Sequence, residues 1–190
     1  YIFKPGTMLL IIALAATGQP EAGTYGHLVL AGLLLSVAGD VFLVLPRNRF
    51  LAGLVSFFLA HVMYIAAFAA RRAGWGLPDV LALAALAAVA VLFFRRIRPG
   101  VLREGGRRMA LAAGLYVTAI SLMVLAAVGT RQPILLVGAL LFYLSDAILA
   151  WNRFVRPLPG ANLGVMSAYF AGQYLIAVSV LAAAGASGAA

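Results

Sequence analysis

Two aspartates lie inside apolar stretches of the chain, where a charged side chain is costly. Asp40 is followed by Val-Phe-Leu-Val-Leu and Asp146 by Ala-Ile-Leu-Ala-Trp. A carboxylate at membrane depth costs roughly 3 kcal/mol even on the lower scales, so it usually faces a cavity or a partner and marks function. Two neighbouring carboxylates can act as general acid and general base, because repulsion and desolvation keep one protonated while the other is ionised. Alternatively, each pairs with a nearby arginine, such as Arg49 or Arg153, and only anchors a helix end.

Four other polar side chains also fall inside apolar runs. His61 and Tyr64 are three residues apart, and Tyr169 and Gln173 are four apart, so each pair shares one helix face. His61 and Gln173 are expected about 16 Å from the cytoplasmic ends of their helices, and the two aspartates about 7 Å from the cytoplasmic ends of theirs. The four side chains are therefore candidates to line the inner end of a pocket. The alternative for each is a hydrogen bond between helices.

Several other kinds of enzyme chemistry lack their residues. The chain has no cysteine, which removes thiolate nucleophiles and thiolate metal sites. It also lacks Gly-x-Ser-x-Gly, His-Glu-x-x-His and a glycine-rich phosphate loop with its lysine. A zinc site would need His61 together with Asp40 and Asp146, and nothing in the sequence supports one. No metal and no other cofactor is expected.

The composition indicates that lipid surrounds these residues. Of 190 residues, 65% are hydrophobic and 10% are charged, with a mean hydropathy of +1.06, whereas soluble domains have about a quarter charged residues. The whole chain, residues 1–190, is predicted to be one integral membrane domain, an all-α polytopic bundle. About seven apolar runs have helical length. They are Pro5–Gly18, His27–Leu45, Phe50–Ala70, Leu77–Phe94, Met109–Val128, Gln132–Trp151 and Asn162–Ala184.

The net charge of +9 is best explained by membrane topology. If the runs alternate in direction, eleven of the 14 Lys and Arg residues fall on the side of Lys4, and only Arg71, Arg72 and Arg131 fall on the other. This bias predicts a cytoplasmic Lys4 and a non-cytoplasmic C-terminus, in a bacterial inner membrane. No nucleic-acid partner is expected. The arginine-rich segment from 95 to 108 is interpreted as a loop that sets topology, with an anionic-lipid patch as the alternative.

Two segments of the chain repeat one another. Gly-Asp-Val-Phe-Leu around Asp40 leads to Asn48-Arg49-Phe50, and Ser-Asp-Ala-Ile-Leu around Asp146 leads to Asn152-Arg153-Phe154. Each segment ends one predicted helix and is followed by a helix of opposite direction. Two interpretations remain open, which are a parallel internal repeat and a chance likeness between apolar helices.

Taken in order, these motifs resemble the YhhN/TMEM86 family of integral membrane proteins. The resemblance covers nearly the whole chain and lies in Lys4-Pro5, in Ala-Gly-Asp-Val-Phe-Leu at 38–43, in Phe-Leu-Ala-Gly-Leu-Val-Ser-Phe at 50–57, in Gly-Ala-Leu-Leu-Phe-Tyr-Leu-Ser-Asp at 138–146, and in the polar residues discussed above. It implies about eight spans. Because the chain begins at Tyr1, just before Lys4-Pro5, its first span is expected to be absent.

The resemblance also implies an activity. Characterised members of that family are lysoplasmalogenases, which hydrolyse the vinyl-ether bond of a lysophospholipid to a fatty aldehyde and a glycerophospho-head group. For this activity we hypothesise that Asp40 and Asp146 are the acid/base pair, with their order undecided. Lys4 would meet the phosphate, with a snorkelling lysine at the membrane interface as the alternative. The expected substrate-binding residues are Lys4, His61, Tyr64, Asn152, Tyr169 and Gln173. The expected partners are a lysoplasmalogen-like substrate and membrane lipid. The alternative function is a small proton-coupled transporter or a lipid-binding membrane protein.

Overall fold

The computed structural model describes residues 3–45 and 49–187, and in these ranges the chain is helical apart from short connections and contains no strand. Five helices follow one another: α1 (Phe3–Val44), α2 (Phe50–Ala70), α3 (Leu77–Gly129), α4 (Pro133–Phe154) and α5 (Ala161–Ser187). Each contains a stretch long and apolar enough to cross a membrane. The all-α polytopic membrane fold expected from composition is therefore confirmed.

Five helices take the place of the seven predicted runs because α1 and α3 each join two runs. Only a single non-helical glycine separates the two runs in each of these helices. These helices have 42 and 53 residues and would be about 63 and 80 Å long if straight, against a hydrocarbon core of about 30 Å. Gly23 (φ 58°, ψ −139°) and Gly106 (φ 64°, ψ −159°) are not helical. The first and second predicted runs are thus joined in α1, and the fourth and fifth in α3.

The chain reverses direction at Gly106. A Cβ atom placed on Gly114 would lie 3.4 Å from the ring of Phe94, although residues 20 apart in a straight helix are about 30 Å apart. We therefore divide α3 into α3a (77–105) and α3b (107–129), which form a hairpin. The positive φ of Gly106 is one that side chains rarely adopt.

The arginine-rich segment from 95 to 108 is helical except at Gly106, so the expectation of a loop there is wrong. Two apolar residues of this segment, Ile97 and Val101, form a buried cluster with Ala110 and with Phe154 of α4. Outside this cluster, Glu104 forms an ion pair with Arg153. We call this end of the bundle the arginine-rich end.

A buried ion cluster closes the opposite end. Asp79, in the first turn of α3, is fully buried and forms ion pairs with Arg72 and Arg131. It also accepts the backbone N–H of Gly76 at 2.9 Å. The positive end of the helix dipole by itself favours an acid at this position. The structure adds two arginines, so that Asp79 ties the connections after α2 and α3 to the start of α3.

Candidate functional site

Three helices bring polar side chains together around Asp146. The hydroxyl of Tyr116, on α3b, donates a 2.5 Å hydrogen bond to Oδ2 of Asp146 on α4. Nε2 of His61, on α2, lies 3.7 Å from the same oxygen. His61 is fully buried, whereas the Asp146 side chain is 14% exposed. The carboxyl group is therefore anchored at one oxygen and still accessible.

The environment of His61 fixes which of its ring nitrogens carries a proton. Nδ1 lies 2.6 Å from the carbonyl oxygen of Phe57, which can only accept, so Nδ1 carries the hydrogen. In the neutral ring Nε2 is then a proton acceptor, and it has no hydrogen-bond partner among the described residues. It faces the carboxyl group of Asp146, which is also an acceptor when ionised. The 3.7 Å between the two acceptors is too long for a hydrogen bond, but acceptors that face each other favour a proton on one of the two groups.

Asp40 occupies a more enclosed position beside a second tyrosine. Tyr169, on α5, donates a 2.8 Å hydrogen bond to Oδ2 of Asp40, which is 1% exposed. The ring of Tyr169 contacts Phe142 at 5.4 Å between centroids, and Phe142 contacts the ring of His61 at 4.8 Å. A continuous series of contacting side chains thus leads from Asp40 to His61 and Asp146.

Tyr64 and Gln173 form a second buried hydrogen bond between helices. The Tyr64 hydroxyl donates to Oε1 of Gln173 at 2.7 Å, and both residues are fully buried. The Tyr64 ring lies against Gly32, where an added Cβ would be 2.4 Å from a ring carbon. This is the interhelical hydrogen bond given above as the alternative role. Nε2 of Gln173 has no hydrogen-bond partner in the described part of the chain.

The remaining candidates lie farther from this cluster. Oδ1 of Asn152 accepts the backbone N–H of Leu158 at 2.8 Å, which stabilises the connection between α4 and α5. Lys4 lies in the first turn of α1, and its side chain is outside the described part of the structure. Arg153, the alternative partner of Asp146, pairs instead with Glu104.

The two repeated segments exchange partners. Asp40 belongs to the first helix pair but is bound by Tyr169 of the second. Asp146 belongs to the second pair but faces His61 of the first. Such an exchange is expected of two similar helix pairs packed against each other, and the internal repeat itself stays a prediction.

An apolar cavity that is open to the outside adjoins Asp146. Along α4 it extends from Tyr143 to Phe154, about 16 Å. The polar residues that line it are Asp146, Tyr116 and Tyr143, and Asp40 is not among the described residues that line it. The lining residues are Leu43, Phe50, Leu54, Phe57, Phe93, Ile97, Met109, Ala113, Tyr116, Val117, Ile120, Tyr143, Asp146, Ala147, Leu149, Ala150 and Phe154. A space of this shape and lining suits a hydrocarbon chain.

Two tyrosines of this site were missed by reasoning from the sequence. Tyr116 lies in an apolar run without a polar neighbour to draw attention to it, and Tyr143 stands three residues before Asp146 in the motif Phe-Tyr-Leu-Ser-Asp. A tyrosine within a span is a usable signal, because a buried hydroxyl usually needs a partner. No group of three His, Cys, Asp or Glu side chains that could hold a metal ion occurs in residues 3–45 and 49–187.

The model of the YhhN family matches residues 1–180. The chain belongs to the YhhN family. Among the family's curated members, lysoplasmalogenase TMEM86B of Sus scrofa is 39% identical over 158 residues, which cover 83% of this chain and 65% of that protein. Its Homo sapiens counterpart is 34% identical over 160 residues, covering 84% of this chain and 66% of that protein.

A bacterial relative matches along more of its length. The uncharacterized membrane protein YhhN of Escherichia coli O6:H1 is 29% identical over 188 residues, which cover 95% of this chain and 86% of that protein. This chain therefore spans just under two thirds of the two mammalian proteins and most of the bacterial one. No solved structure matches the chain.

Proposed function

We propose that this protein is a membrane-embedded hydrolase that cleaves the vinyl-ether bond of lysoplasmalogen. The observation that carries the proposal is an accessible carboxyl group, Asp146, in the wall of an otherwise apolar cavity. The mammalian relatives named lysoplasmalogenase support the choice of substrate. The products are a fatty aldehyde and a glycerophospho-head group.

The reaction needs an acid and then a base. The acid delivers a proton to the vinyl carbon remote from the ether oxygen, and the double bond's electrons form the new C–H bond. This leaves an oxocarbenium ion at the carbon bonded to oxygen, which a carboxylate stabilises. Water adds to that carbon and loses a proton to the base. The resulting hemiacetal breaks its C–O bond to release aldehyde and the glycerol hydroxyl.

Asp146 is suited to act first as the acid. Its carboxyl group adjoins the cavity, and a proton that the neighbouring His61 nitrogen favours on this carboxyl group is available for transfer. After that transfer Asp146 is ionised beside the cation. His61 Nε2, held as an acceptor by the Nδ1 bond to Phe57, can then receive a proton from the attacking water.

Asp40 is the second carboxyl group of the proposed pair. It is held by Tyr169 at the far end of the same contacting series. Repulsion between two carboxylates in one buried cluster favours the state in which one of them keeps a proton. We assign that proton to Asp146 and the constant negative charge to Asp40.

The other candidates act by binding and positioning. Lys4 is proposed to meet the substrate phosphate as a point charge, while Tyr64, Asn152, Tyr169 and Gln173 support the site. We further propose that residues 1–190 form one domain of a bacterial inner membrane. In this orientation the arginine-rich end faces the cytoplasm.

Aldehyde release tests the proposal directly. Purified protein in detergent is given ethanolamine lysoplasmalogen, and the matched ester lysophospholipid serves as control because it has no vinyl ether. We expect aldehyde from the first and no cleavage of the second. If folded protein releases no aldehyde, the hydrolase proposal is wrong. Proton-coupled uptake into proteoliposomes without product would then favour the transporter.

Narrowing the cavity should change chain-length preference. Ala150 lines it one helical turn beyond Asp146, and in Ala150→Leu the larger side chain occupies space needed by a long alkenyl chain. We expect kcat/KM to fall about tenfold for a long-chain substrate and much less for a short-chain one. Ala88→Leu, on the exposed face of α3a, is the control. Equal losses for both chain lengths in Ala150→Leu would contradict this use of the cavity.

A further inference from the structure

The hydroxyl group of Tyr143 is buried and has no hydrogen-bond partner within the described part of the chain. Tyr143 lines the cavity described above. It precedes Asp146 by three residues on α4, so the two residues share one side of that helix and lie about 4.5 Å apart along its axis. The proposed reaction does not use this hydroxyl.

Packing does not account for a hydroxyl at this position. Most lining residues near it are hydrocarbon, and a phenylalanine would fill the same space without burying an unpaired donor. Buried hydroxyls in folded proteins nearly always have a partner. A bound molecule with an oxygen at this point would supply that partner once neighbouring side chains move and open the hydroxyl to the cavity.

We propose that Tyr143 binds the free hydroxyl on the second glycerol carbon of the lysolipid, an inference that rests on the proposed hydrolase function. Four covalent bonds separate that oxygen from the vinyl-ether carbon that water attacks, a span of about 4 Å at standard bond lengths. The rise along α4 from Tyr143 to Asp146 is of similar size, so one bound lipid can lie beside both residues. When Asp146 meets the vinyl ether, the glycerol hydroxyl falls within reach of the tyrosine.

This contact makes Tyr143 a specificity-determining residue. A site that hydrogen-bonds a substrate hydroxyl discriminates against analogues that lack it, because the site's own polar group is then left unpaired. In a two-chain lipid an ester replaces the hydroxyl at the same carbon. The ester has no hydroxyl to bind, and its acyl chain must fit beside Tyr143. The residue thus selects for lipids with one chain.

The test compares two substrates and three proteins. The substrates are ethanolamine lysoplasmalogen and its analogue without the second-carbon hydroxyl. The proteins are the wild type, Tyr143→Phe and the control Tyr174→Phe, in which the altered tyrosine is 49% exposed on α5. We expect the wild type and the control to prefer the hydroxylated substrate about tenfold in kcat/KM. In Tyr143→Phe that preference should fall to near unity, with a melting temperature unchanged or raised.

Two results would overturn the inference. One is a Tyr143→Phe variant that keeps the wild-type preference. The other is a variant in which kcat/KM falls equally for both substrates and the melting temperature is lower, which would show a structural role.

A binding measurement separates this inference from the hydrolase proposal. If the wild type releases no aldehyde, the proposed function fails, and binding of saturated 1-O-alkyl lysolipid with and without the hydroxyl decides the role of Tyr143. Weaker binding of only the hydroxylated ligand by Tyr143→Phe supports the inference. Unchanged binding of both ligands refutes it.

Discussion

Asp146→Asn should lower kcat for aldehyde release from lysoplasmalogen by about 10³-fold, the usual contribution of a general acid. The amide has nearly the same shape and can still accept the hydrogen bond from Tyr116. The fold should therefore persist while the transferable proton is lost. The measurement is single-turnover aldehyde formation at saturating substrate, together with the melting temperature of each protein.

Asp40→Asn distinguishes the two roles assigned to the carboxyl groups. Asp40 is buried behind Tyr169 rather than placed in the cavity wall, so its loss should reduce kcat less than the loss of Asp146 does. Glu21→Gln, which changes an acid outside the site, serves as the control. Full activity in Asp146→Asn with none in Asp40→Asn would reverse the assignment. Full activity in both variants would remove the aspartates from the mechanism.

Gly100→Ala should destabilise the folded protein by about 2–3 kcal/mol, because a side chain at this position has no room. A Cβ atom there would lie 1.9 Å from the backbone carbonyl oxygen of Phe154. Since backbone cannot rotate away as a side chain can, α3a and α4 must separate. This cost exceeds the roughly 1 kcal/mol that alanine gains over glycine in a helix. Thermal unfolding in detergent measures the change.

The matched control for this variant is Gly6→Ala. No atom of the described residues lies within 4 Å of a Cβ placed on Gly6, so that substitution should leave the melting temperature unchanged or raise it. Activity provides a second readout for Gly100→Ala. Ile97 of α3a and Phe154 of α4 both line the cavity, so separating their helices should also weaken substrate binding. A Gly100→Ala protein as stable as wild type would mean that the two helices are not so closely packed.

The buried acids illustrate how polar residues in apolar runs can be interpreted. The sequence shows where the acids are, but only their structural environments distinguish a structural role from a chemical one. Asp79 is tied to two arginines far from the cavity and closes one end of the bundle. Asp146 is held by neutral groups, a tyrosine and a histidine, beside an apolar space. Neutral partners leave a carboxyl group free to change its protonation, whereas two guanidinium groups hold it ionised.

The sequence by itself determined the class of the protein and the places where its chemistry could lie. Composition and hydropathy are sums over local residues, so they identify membrane-spanning helices without knowledge of their packing. α2 spans Phe50–Ala70, the range predicted for it. Polar residues stand out for the same reason, because their cost in an apolar run can be assessed one residue at a time. This is how Asp40, His61 and Asp146 became candidates.

Only the tertiary structure decided which groups face one another. Tyr116 and Asp146 are 30 residues apart, and Tyr169 and Asp40 are 129 apart, so their contacts depend on how separate helices rotate and pack. Apolar periodicity is a weak guide to that rotation in a membrane, since lipid and protein interior are almost equally apolar. The reversal between the fourth and fifth runs was predicted, but its position at Gly106 was not, because helical propensity continues on both sides of that residue. The cavity forms only when the hairpin of α3 packs against α2 and α4, and only then do Tyr116 and Tyr143 line it.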